Sequence, residues 1–238
     1  DMDNRYPYLI MRVLTIVVVL LPLLVIPFIE RAYELPKLLL LWSVGGWFGL
    51  VSAVHFTHTR PLWRPLTSID WGMFLWIAAG ALAVLLSPSP FDSFFGSYER
   101  GMGFFTELAA LGIFLGVRTF FTPPWMGKFT SVFTLTAFLI AAIGLFRLFV
   151  GFPTDFVKLG ALDIARASGT LGHSVYFGVV LAALLPFALE LSLARRRRDQ
   201  VFGILTAVLA MLGILYSFSR AALLAAFVSL LCFTLLRY

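Results

Sequence analysis

The chain has 238 residues, 61% of them hydrophobic and 13% charged, with a mean hydropathy of +0.96 and a formal net charge of +6. A soluble domain carries about 25% charged residues, so a fold wetted on all sides is excluded and lipid must solvate most of the surface. The single cysteine, Cys232, lies in an apolar run and excludes a disulfide framework or a cysteine-based metal site built from this chain alone.

Repeated apolar runs of about 20 residues are the signal of membrane-crossing helices, and the short alternating strands of a transmembrane barrel are not seen. The predicted fold is therefore all-α and polytopic, with about eight spans. Tyr8–Phe28 comes first; "FIERAYELPK" follows it without a small-residue cleavage pattern, so it reads as a retained helix and not a signal peptide. Leu35–His55 is next, and Pro61 and Pro65 punctuate the loop before Ile69–Leu86. "SPSP" at Ser87–Pro90 closes that third span, and Pro123–Pro124 separates Phe104–Phe121 from Met126–Val150. Val175–Leu193, Val201–Leu215 and Ala221–Leu236 complete the set. Residues 1–238 form one transmembrane helical domain in this reading, with no internal repeat. Starting at Asp1 without a Met, the chain is expected to be part of a longer protein.

The basic residues set the expected orientation. The "RRRR" block at Arg195–Arg198 votes most strongly, because short basic loops stay cytoplasmic. With the block inside, both termini are cytoplasmic, and the larger share of the 18 Lys and Arg falls inside. The block itself reads first as a topology anchor touching anionic lipid, with Glu190 as its expected acidic partner. Arg31, Lys37, Arg100, Arg147, Lys158, Arg166 and Arg220 fall outside, against the usual bias.

Outward arginines need a reason. Arg31, Arg100, Arg166 and Arg220 come from different outer loops, each with polar or Gly residues nearby. Guanidinium is planar, always charged and binds two oxygens at once, which suits phosphate. In "RASGTLGHS", Gly169 and Gly172 flank Thr170 just before the sixth span, where free N–H groups and a positive dipole end are expected. Ser168 and Thr170 add hydroxyl donors or cap that helix. The segment reads as an anion cradle at the membrane–water boundary.

Each residue also has a plainer reading. A lone Arg at a helix end snorkels to lipid phosphate or pairs with an acid, and Glu30, Glu34 and Glu99 stand ready beside Arg31 and Arg100. Arg147, near the outer end of the fifth span, either lines the same cavity or snorkels. Glu107 is an intramembrane acid that needs a partner or a wet cavity; it either pairs with an outer Arg or acts as a base. His173 is either a general base or a structural cap. His55 and His58 do not by themselves make a metal site.

The order "LPK" at Leu35–Lys37, "FGSYERGMG" at Phe95–Gly103, "RASGTLGHS" at Arg166–Ser174 and "SFSRAALL" at Ser217–Leu224 resembles the O-antigen ligase and O-antigen polymerase superfamily. The likeness runs over nearly the whole chain as that family's N-terminal part. It implies a GT-C type glycosyltransferase in the bacterial inner membrane, moving a glycan from a polyprenyl-diphosphate carrier to lipid A-core, a growing glycan or a protein. It implies no cofactor, no metal and no nucleic-acid partner. Arg166 and Arg220 match the family's diphosphate-holding arginines. Many relatives have an Asn-Pro-type pair where this chain has His173–Ser174, and the family's catalytic His lies in a later outer loop that nothing here matches.

Two other classes stand beside that one. A non-catalytic membrane scaffold, bound to other membrane subunits, would keep the helices without the chemistry. A transporter would use Glu107 and Arg147, but matching Gly- or Pro-broken helices in two halves are not seen.

Overall fold

The computed structural model describes residues 5–25, 34–59, 67–96, 103–121, 125–151, 155–159 and 162–237. Its helices are α1 (Arg5–Leu23), α2 (Leu35–Thr59), α3 (Ser68–Leu85), α4 (Pro90–Phe95), α5 (Phe104–Phe120), α6 (Met126–Phe149), α7 (Ser174–Ser192), α8 (Arg197–Tyr216) and α9 (Arg220–Arg237). All eight predicted apolar runs carry a helix, and the chain is an all-α multi-pass membrane protein. Six of the helices, α2, α3, α6, α7, α8 and α9, are long and apolar enough to cross a bilayer. The first span was expected to reach Phe28; α1 ends at Leu23, and residues 26–28 lie outside the described residues.

A short helix and a β-hairpin were not expected. α4 begins at Pro90 within the "SPSP" stretch, where a proline at the first helical position loses no needed hydrogen bond. Strands β1 (Asp155–Leu159) and β2 (Leu162–Arg166) form an antiparallel hairpin between α6 and α7. Its register sets Asp155 across from Arg166 and Lys158 across from Asp163.

The residues cluster into two compact units: 1–12 with 30–121, and 13–29 with 122–238. In the first unit, α2 packs on α5 through glycines. A methyl at Gly45 would overlap the Ala109 carbonyl, one at Gly112 the Gly45 carbonyl, and one at Gly116 the Phe48 ring. Small residues four apart let helix backbones approach this closely in a membrane. α3 joins α5 through charge. Thr67 and Asp70 form a capping box, and the Asp70 carboxylate also accepts from Arg118 Nε at 2.6 Å. Asp70 is buried, so this pairing meets the demand any acid makes at a membrane span.

In the second unit, α7 is the central helix, packed by α6, α8 and α9. Phe177, Leu181 and Leu185 recur one turn apart and are fully buried with Ile140, Ile214 and Ala222. The Phe177 ring lies in space left by Gly144 of α6 and Gly213 of α8. At the far end of α7, Glu190 pairs with Arg237 of α9. This corrects the expectation that Glu190 serves the Arg195–Arg198 block: α9 returns Arg237 to the end of α7, and its guanidinium takes the carboxylate.

Candidate functional site at one end of the second unit

α6 ends, α7 begins, α8 ends and α9 begins at one end of this unit, and hydrogen bonds tie them there. Ala167 N donates to Tyr216 O at 2.9 Å, joining the exit of β2 to the last turn of α8. Arg166 donates from Nε to Ser217 O at 2.8 Å and from Nη2 to Phe218 O at 3.5 Å. Phe218 has φ +47, a left-handed conformation that non-glycine residues seldom adopt. Arg166 therefore fixes a strained turn 51 residues away in sequence. Ser219 follows, and its Oγ accepts from Ala222 N at 3.3 Å, capping α9. Arg220 is the first residue of α9; it is exposed and has no hydrogen-bond or ion-pair partner among the described residues.

The "RASGTLGHS" segment turns inward in its middle. Gly169 has φ +54 and is buried; a Cβ there would stand 3.1 Å from Gly144 Cα and 3.2 Å from the Phe177 ring. Arg147, in the last turn of α6, donates from Nη1 to Gly169 O at 3.1 Å. Thr170 is buried, and its Oγ1 donates to Pro22 O at 2.7 Å. That carbonyl is one of the last in α1, where the helix supplies no donor of its own. Gly172 has φ +75 and leads out to His173, which caps α7: Nδ1 accepts from Val175 N at 3.2 Å, and the imidazole lies 5.3 Å from the Tyr176 ring. Of the two readings of His173, these contacts describe the cap.

One end of the unit thus gathers Arg147, Arg166, Gly169, Thr170, Gly172, His173 and Arg220. Glu107 belongs to the other unit, on α5 against Gly80, and its buried Oε2 has no hydrogen-bond partner among the described residues. Arg31 and Arg100 lie outside the described residues.

Sequence reasoning passed over the receiving side of the Arg166 contact. Ser217 and Phe218 act through main-chain carbonyls, which any residue offers, so no side-chain pattern marks them. It also passed over the rings around the site: Phe149 lies 5.5 Å from Tyr216, and Tyr216 lies 6.5 Å from Phe218. Phe149 and Phe218 are exposed. Chemically, the end offers one exposed guanidinium on a turn held by a second, beside apolar rings. No family model, curated protein or solved structure matches the chain.

Proposed function

We propose that the chain takes part in transferring a glycan from a polyprenyl-diphosphate carrier to lipid A-core, a growing glycan or a protein at the outer face of the bacterial inner membrane. The supporting observation is the bond between the two arginine motifs: Arg166 of "RASGTLGHS" holds the Ser217 and Phe218 carbonyls, in the turn that leads through Ser219 to Arg220 of "SFSRAALL". In this reading Arg166 positions the turn and Arg220 meets the diphosphate. The bond between the anomeric carbon and the diphosphate oxygen breaks as the acceptor oxygen bonds to that carbon. The acceptor proton passes to a base, and guanidinium charge stabilises the departing diphosphate.

The test is glycan transfer by the full-length protein in membranes. Arg220→Ala is expected to lower transfer by about 100-fold or more while insertion is unchanged. Wild-type transfer by Arg220→Ala would sink the proposal. The second reading, a non-catalytic scaffold held to other membrane subunits, draws on a different observation. Arg166 donates to main-chain carbonyls, and Gly169 and Thr170 face the interior, so much of the motif serves packing. It expects Arg220→Ala to leave transfer untouched and Arg166→Ala to weaken co-purification of membrane partners.

A further inference from the structure

We infer that the α7–α8 turn is a binding site for the phosphate of an anionic membrane lipid, and not merely a charged loop. Arg195 to Arg198 are all exposed, and none has a hydrogen-bond or ion-pair partner among the described residues. The acid that could have neutralised them, Glu190, is held by Arg237. Asp199 is the one carboxylate adjoining the block, so most of its positive charge stands uncompensated. Arg197 and Arg198 also open α8, where the helix dipole is positive and Arg196 provides no side-chain cap. Cations at that position repel the helix end, and an anion relieves both charges at once.

The surroundings select a lipid over a dissolved anion. Leu193 precedes the block and Val201, Ile204 and Leu205 follow it on α8, and all four are exposed apolar side chains. α7 and α8 are both long and apolar enough to span, so the four residues between them sit at the bilayer surface. A lipid there lays its acyl chains on the α8 side chains and brings its phosphate to the guanidinium forks. Basic clusters flanking a spanning helix recognise anionic headgroups in this way.

The test uses purified protein in nanodiscs with the same lipid mixture in both leaflets, so the protein's orientation does not matter. Lipids carried with the protein are counted by native mass spectrometry, from equal mixtures of phosphatidylglycerol and phosphatidylcholine. The wild type is expected to retain phosphatidylglycerol about fivefold or more over phosphatidylcholine, the ratio one engaged arginine supplies. A variant carrying Arg195→Gln, Arg196→Gln, Arg197→Gln and Arg198→Gln is expected to show no preference. Should that variant fail to fold, the four Arg→Lys changes serve instead: they keep the charge, lose the fork, and are expected to give an intermediate ratio. Equal retention of both lipids by the wild type would overturn the site, as would an unchanged ratio in the glutamine variant. Displacement of the lipid by millimolar inorganic phosphate would overturn the lipid assignment in favour of a dissolved anion.

Discussion

The two ends of the second unit carry the same side chain in opposite circumstances. At one end, Arg147 and Arg166 donate to main-chain carbonyls of Gly169, Ser217 and Phe218, three acceptors on turns that have no helix or strand partner to satisfy them. At the other, Arg195 to Arg198 stand in the open while Arg237 pairs with the Glu190 carboxylate. An α8 of 20 residues separates these ends by about 30 Å, close to the thickness of a bilayer's hydrocarbon core. The contrast teaches that an arginine's worth to the fold is set by the acceptors around it and not by its charge. Where turn carbonyls converge, guanidinium is a structural tie. Where they do not, as at Arg195–Arg198 and at Arg220, it stays exposed.

Stability measurements grade this contrast, followed by helical circular dichroism during denaturation in a neutral detergent. The largest loss is expected for Gly169→Ala, about 3 kcal/mol, because the methyl meets Gly144 and Phe177 from a left-handed backbone. Arg166→Ala comes next at about 2 kcal/mol, since it removes charged donors to two carbonyls and releases the strained Phe218 turn. Thr170→Val is expected to cost about 1 kcal/mol through the lost bond to Pro22 O. His173→Ala follows at about 0.5 kcal/mol, the low end of a lost helix cap, and His173→Asn is expected to restore it. The fourfold Arg→Gln change at Arg195–Arg198 is expected to move stability by less than about 0.5 kcal/mol, as for exposed groups without partners. A loss there equal to that of Arg166→Ala would break the contrast and make the block part of the fold.

The charged groups of the first unit show what a sequence pattern reveals and what it hides. Glu107 stood out because an acid inside an apolar run is rare, and its Oε2 is indeed buried. Asp70 lies as close to a span and attracted no notice, because its partner Arg118 is far along the chain and on another helix. The Thr67–Asp70 spacing was the available signal, as a capping box opening an apolar run. His173 carried two readings in the sequence, since an imidazole before a helix serves equally as base or cap; the structure shows the cap contact, Nδ1 accepting from Val175 N, which no local pattern announces.

Composition and run length alone determined the lipid environment and the positions of the eight apolar helices. Burying backbone polar groups in hydrocarbon leaves an apolar chain little choice but helix, so local sequence suffices. Tertiary structure decided which polar groups meet. In the second unit, glycines at 144, 178 and 213 let α6, α9 and α8 come close around α7, and in that bundle Gly169 and Thr170 turn inward, Arg166 reaches the Ser217–Phe218 carbonyls and Arg237 meets Glu190. Such contacts join residues tens of positions apart through groups that every residue or many residues possess, and no local pattern records them.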